Sequence, residues 1–301
     1  MRSTHNAGRK SSLVYGIHRA IILCGEHVSR ISTAGIEWNV ETRGSKNGQP
    51  LILLHGFAGS LHAWDRIAPF LEPHFRLILL DLPGHGETPL PPEEIGFAEF
   101  TNGLIELIQK IARKKPILCG YSMGGRLALH AGVEASETLR GLILIGASPG
   151  IEEPRERAKR RNADHDLAAD ILTKGLEWFA DHWGSLPLFA SQKDLPIEIQ
   201  NDLRRARLAN DPNGLAYSLA HWGAGEQEFV GPYLYKIRCP LLLLAGALDQ
   251  KFCLSNHYMA SAVGTSNLRR VEIPHAGHAA HIEQPEAVAQ EIITFAQTLQ
   301  E

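Results

Sequence analysis

The chain has 301 residues, 44% hydrophobic and 21% charged, an ordinary globular balance with room for one large domain and an inserted segment. Its formal net charge is −3 with the signs interspersed, so no basic stripe is available to neutralise nucleic-acid phosphates, and a small-molecule substrate is expected instead. No apolar run is long enough to cross a membrane, and Cys24, Cys119, Cys239 and Cys253 show neither CxxC spacing nor a disulfide framework, which suits a reducing compartment.

Residues 1–34 carry Arg2, Arg9, Lys10, Arg19 and Arg30 against a single acid, Glu26, and the apolar stretch 20–24 is too short for a signal core. They read as an N-terminal extension outside the fold, disordered or targeting. The expected location is cytoplasmic, or an organelle if the extension is a transit peptide.

From Ile36 onward short apolar runs alternate with longer amphipathic stretches. The runs at 51–54, 77–80, 117–119, 142–145 and 241–244 each meet a glycine or turn within a few residues, the pattern of buried parallel strands. They predict an α/β fold: a mostly parallel, doubly wound sheet covered by helices. Between the fourth and fifth runs the period becomes helical, with Leu167, Ile171, Leu172, Leu176 and Phe179 expected on shared faces. Ligands of open α/β sheets bind outside the carboxyl ends of the strands, so this insertion reads as a cap over the site. The expected organisation is core 35–149, helical cap 150–229 and core 230–301.

Gly120-Tyr121-Ser122-Met123-Gly124 follows the strand at 117–119 and precedes an apolar helix. A GxSxG pattern often arises by chance, but in a strand-turn-helix setting it reads as a nucleophile elbow rather than a glycine-rich turn with a bystander serine. Serine needs a base to take its proton and an acid to hold that base in the right tautomer. Asp249, shortly after the run at 241–244, and His278, in Pro274-His275-Ala276-Gly277-His278, stand in the required chain order. The Gly277-His278 pair is expected to give the tight turn that brings the imidazole over the elbow, with His275 and His281 at the surface or behind it. These histidines lie in a Pro/Gly loop and no HExxH occurs, so neither metal nor cofactor is expected. The oxyanion donors should be the backbone N–H groups of Met123 and of Phe57, in His55-Gly56-Phe57 after an earlier strand. The loop 81–86, rich in Pro and Gly, reads as structural.

From about Ile36 the chain resembles the α/β-hydrolase superfamily. Within it, Tyr121 to Arg126, Ser148-Pro149-Gly150, Glu156-Arg157 with Arg160, Trp183 with Pro187-Leu188-Phe189, Gly214-Leu215-Ala216 and Asp249-Gln250-Lys251-Phe252 resemble the 2-succinyl-6-hydroxy-2,4-cyclohexadiene-1-carboxylate synthases of menaquinone (vitamin K2) biosynthesis. It departs from that pattern at Ala224, usually threonine, and Ala247, commonly glutamate. The resemblance implies a lyase that needs no cofactor: Ser122, deprotonated through His278 and Asp249, acts as a base, and pyruvate leaves the substrate. It also implies that Arg126, Arg160 and Arg207 bind substrate carboxylates, with Tyr121 and Trp183 in the same pocket and Arg157 beside them. Guanidinium forks suit a polycarboxylate.

Residues 150–228 hold both signs of charge, so cap arginines can equally be solvated surface, the expected state of Arg161, Arg204 and Arg205. Two rivals remain open: a serine hydrolase, either a carboxylesterase or a carbon–carbon bond hydrolase, using the same triad, and a ligand receptor that keeps the fold without catalysis. The sequence leaves the oligomeric state open, a homo-oligomer included.

Overall fold

The computed structural model describes residues 27–299. Eight strands form one sheet: β1 (His27–Thr33), β2 (Ile36–Gly44), β3 (Gln49–Leu54), β4 (Phe75–Leu80), β5 (Ile117–Tyr121), β6 (Gly141–Ile145), β7 (Leu241–Gly246) and β8 (Leu268–Ile273). Their order is β1-β2-β4-β3-β5-β6-β7-β8. β1 and β2 are antiparallel to their neighbours, and every other pairing is parallel. The helices are α1 (Ala68–Leu71), α2 (Phe97–Ile111), α3 (Met123–Ala135), α4 (Pro154–Ser185), α5 (Ile197–Leu208), α6 (Pro212–Trp222), α7 (Gln250–Ala262), α8 (Ala280–Glu283) and α9 (Pro285–Gln297).

The five apolar runs form the inner parallel strands because each residue on them faces a helix layer. Ile52, Leu54, Ile78, Leu80, Leu118, Leu142, Leu144, Leu241 and Leu243 pack on one side with α2, α3 and Met259 of α7. Their sequence neighbours Leu51, Leu53, Leu77, Leu79, Ile117, Cys119, Ile143, Leu242 and Leu244 pack on the other with α1 and α9. The chain runs from β3 to β4 in one direction across the sheet, then back to β5 on the opposite side of β3. That reversal sets the carboxyl ends of β3 and β5 side by side, with Leu54 opposite Gly120.

The expected boundary at residue 34 is corrected by the first hairpin. Thr33 pairs with Ile36 across Ala34 (φ 46°) and Gly35 (φ 75°), a two-residue turn with both central residues left-handed. β1 is an edge strand whose Val28 is exposed, so it has no apolar run, which is why residues 27–34 read as extension. Residues 1–26, where the rest of that expected extension falls, lie outside the described residues.

Between β6 and β7 stand α4, α5 and α6. Ala168, Ile171 and Phe179 of α4 and Leu215, Ala216 and Leu219 of α6 form a shared core, joined by Leu167, Leu176 and Trp183. α5 buries no residue fully and packs Ile199 and Leu203 toward the core that holds α1 and α9. Leu172, expected on the same face, is instead exposed. It follows Ile171 directly and is turned about 100° away around the helix. α4 bends at Gly175 (φ 82°). The start of α6 is pressed onto the loop after β4, where a Cβ at Gly214 would stand 2.1 Å from the Gly84 carbonyl oxygen.

Candidate active site

Ser122 sits between β5 and α3 at φ 51°, ψ −107°, a conformation costly for any residue with a Cβ. The flanking glycines make it feasible: a Cβ at Gly120 would lie 2.2 Å from the Gly124 carbonyl oxygen, and one at Gly124 2.5 Å from that of His55. β5 and α3 therefore meet with almost no space between them, and the serine is pushed out over the end of the sheet.

His278 comes to it from the loop after β8. Its Nε2 lies 2.9 Å from Ser122 Oγ and its Nδ1 2.7 Å from Asp249 Oδ2. Both His278 and Asp249 are buried. Phe252 and Tyr121 pack beside the imidazole, and Gly146 (φ 57°) clears its edge, since a Cβ there would approach Cε1 to 3.0 Å. The left-handed residue of the loop is His275 (φ 57°), outside the Gly277-His278 pair expected to make the tight turn. Gly277 is needed for closeness: a Cβ there would strike Ser191 Oγ at 2.0 Å. His281 takes the second of the two positions expected for it, behind the site rather than at the surface: it is fully buried between Tyr121 and Trp64, and burial pushes its imidazole down to about 3.

Met123 N–H heads α3, where no helical acceptor exists. Gly56, ahead of Phe57, lets the loop close on the serine: a Cβ there would be 3.4 Å from Ser122 Cβ and would overlap the Tyr121 ring. Among the described residues neither the Phe57 nor the Met123 N–H donates to a protein acceptor. His55 holds this loop, with Nδ1 2.7 Å from the Gly56 carbonyl oxygen and Nε2 accepting from Leu82 N–H. The Asp81 carboxylate accepts from Leu61 and Glu87 N–H and from Asn39 Nδ2, which gives loop 81–86 a structural task.

A cavity of about 420 Å³ opens in front of Ser122, with Tyr121, Arg126, Arg160, Trp183 and Lys251 in its lining. Arg126 donates to the Trp222 carbonyl and more distantly to that of Gly223, and lies over the Phe97 ring, yet has no carboxylate partner among the described residues. Burial, reinforced by Arg160 and opposed by Asp164, pushes its guanidinium down to about 10. Arg160 pairs with Asp164 at 2.8 Å through Nε. Lys251 is likewise pushed down, chiefly by burial.

Arg207 lines an adjoining cavity of about 280 Å³ that shares Phe57, Tyr121, Trp183 and Phe189 with the first. It donates to Gln192 Oε1, and its guanidinium lies over Phe189. Arg157, expected with the other arginines, is not in the lining of either cavity. It precedes Arg160 by three residues, which on a helix leaves it one turn short. Arg161 pairs with Glu226, Arg204 with Asp181 and Arg205 with Asp202, as surface charges do.

An open α/β sheet with a strained serine at its switch point and a hydrogen-bonded His–Asp pair behind it defines the α/β-hydrolase-fold class. A family model described as alpha/beta hydrolase fold matches residues 49–285. A Bacillus subtilis protein provisionally named 2-succinyl-6-hydroxy-2,4-cyclohexadiene-1-carboxylate synthase is 37% identical over 83% of this chain and 91% of its own. The synthase of that name from Pectobacterium atrosepticum is 30% identical over 81% of this chain and 92% of its own. The solved structure of MenH from S. aureus superposes with a TM-score of 0.83 at 33% identity, covering 88% of this chain and 99% of that one. The chain belongs to the 2-succinyl-6-hydroxy-2,4-cyclohexadiene-1-carboxylate synthase family of α/β-hydrolase-fold proteins.

Proposed function

We propose that the chain is a carbon–oxygen lyase of menaquinone biosynthesis. It eliminates pyruvate from 2-succinyl-5-enolpyruvyl-6-hydroxy-3-cyclohexene-1-carboxylate to give 2-succinyl-6-hydroxy-2,4-cyclohexadiene-1-carboxylate. The change from a 3-ene to a 2,4-diene fixes the bookkeeping. A proton leaves C2, beside the succinyl ketone, its electron pair moves through the ring, and the C5–oxygen bond breaks to release enolpyruvate, which takes up a proton.

Ser122 Oγ is the base, passing its own proton to His278 Nε2 2.9 Å away while Asp249 steadies the imidazolium. The N–H groups of Phe57 and Met123 hold the ketone oxygen as it becomes enolate-like. Arg126 and Arg160 receive carboxylates near the reacting ring, with Lys251 adding a third cation. Arg207 receives the far carboxylate in the adjoining cavity, with Tyr121 and Trp183 as the wall between.

The observation that carries this reading is Arg126: a partly buried guanidinium in the lining of the Ser122 cavity with no carboxylate of its own among the described residues. A pocket for a neutral ester has no use for it, whereas a substrate with three carboxylates completes it. The scattered cysteines, of which Cys119, Cys239 and Cys253 are free and buried, suit a cytoplasmic setting. Turnover of the enolpyruvyl substrate compared with nitrophenyl esters tests the proposal. Rapid pyruvate release with negligible ester hydrolysis is expected, and the reverse pattern makes the protein a hydrolase.

A further inference from the structure

His278 belongs to no helix or strand, yet it must meet Ser122 and Asp249 at hydrogen-bond distance together. Its side chain is held by Asp249 and by aromatic walls, which leaves open what fixes its backbone. The loop from Ile273 to Ala280 has little regular structure to do so.

Glu283, the last residue of α8, is buried and reaches back over this loop. Its Oε2 accepts from Gly277 N–H at 2.7 Å and its Oε1 from Ala279 N–H at 3.2 Å. The two donors are the residues on either side of His278. The return contact closes a ring, because Ile282 and Glu283 N–H both donate to the Ala279 carbonyl. α9 follows directly and is anchored in the core by Val288, Ile292 and Phe295. Among the described residues Glu283 forms no ion pair, so its carboxylate has no task as a charge partner.

We infer that Glu283 is a positioning residue for His278, its two carboxylate oxygens bracketing the histidine's backbone so that Nε2 stays on Ser122 Oγ. The inference rests on the role proposed for His278. It requires a carboxylate: an amide offers one acceptor oxygen and turns an NH2 group toward the second backbone donor. A plain helix cap would make a different demand, since its loss lowers stability and leaves the folded enzyme's turnover unchanged.

The test is Glu283→Gln in the full chain, with Glu286→Gln, at an exposed carboxylate one turn further on, as the control. Two rates are read: pyruvate release, and covalent labelling of Ser122 by a fluorophosphonate, which needs the triad but not the natural substrate. Glu283→Gln should lower kcat about tenfold or more with KM within about twofold, because misplacement of a catalytic group costs turnover rather than binding. Fluorophosphonate labelling should slow in parallel, and the control should match wild type in both. Glu283→Asp, which keeps both oxygens on a shorter stem, should fall between Gln and wild type, and serves if the Gln variant fails to fold. A folded Glu283→Gln or Glu283→Asp protein with wild-type kcat and labelling rate overturns the inference. Wild-type protein that is labelled but releases no pyruvate refutes the lyase reading alone, and the labelling rates still decide the role of Glu283.

Discussion

A serine in a left-handed backbone conformation and a guanidinium with no acid partner are the two residues on which the chemistry turns. Arg126→Ala should raise KM strongly, with a loss of about 2–5 kcal/mol in kcat/KM, because a carboxylate brought into that cavity would be left without its fork. Steady-state kinetics of pyruvate release check this, and unchanged kinetics would return Arg126 to a packing role against Phe97 and Trp222. Arg126→Lys should recover only part of the loss, since a point charge replaces a bidentate donor. The elbow was legible because its signature is local: Gly120 and Gly124 lie two residues on either side of Ser122. Although a Cβ at Gly124 would strike Leu54 and His55 far back in the chain, one at Gly120 would strike Gly124 within that one turn. Lys251 was quoted in the resemblance without a role, since only the turn from Asp249 into α7 decides that it lines the cavity. Arg157 and Arg160 differ only by a turn of helix, which composition cannot rank.

The elements divide according to how far their causes lie along the chain. The inner strands announced themselves as apolar runs because both faces of each are covered. β1 did not, since an edge strand with Ser29, Arg30 and Ser32 gains its place from pairing with β2 rather than from its own burial. The cap was visible as a change of period, but its seat was not. That seat is a backbone-to-backbone approach between Gly214 and Gly84, residues far apart in sequence. Gly214→Ala should therefore lift the start of α6 from the loop after β4. We expect a cost on the order of 1–3 kcal/mol, as for overpacking, read as a lowered Tm. KM should rise as well, because Leu219 and Trp222 of α6 line the Ser122 cavity. An unchanged Tm would mean that the cap does not depend on this contact.

Across the whole molecule, four buried histidines are held below their ordinary range. Burial puts His85 and His281 at about 3 and His130 at about 4, and it lowers His55 as well, with Asp81 opposing. A histidine near 6.5 when unfolded and lower when folded binds its proton preferentially in the unfolded state. Its penalty is absent above pH 6.5 and grows as the pH falls toward the folded value, by up to about 1.4 kcal/mol per pH unit for each group. Tm should thus decline between about pH 6.5 and 4, beyond any loss from carboxylate protonation. His281→Phe should flatten that decline, since neither ring nitrogen has a hydrogen-bond partner among the described residues and aromatic rings surround it. A variant with the wild-type slope would contradict the assignment. Burial of this kind comes from the assembled fold, so the sequence offered His281 only as a surface or supporting histidine.

The most direct test of the account is pyruvate release from the enolpyruvyl-cyclohexene substrate by wild-type protein and by Ser122→Ala. The account predicts rapid release by the wild type and its loss, by several orders of magnitude, in the variant. Equal release by both proteins would show that Ser122 is not the base, and no release by either would show that this cavity is built for another substrate.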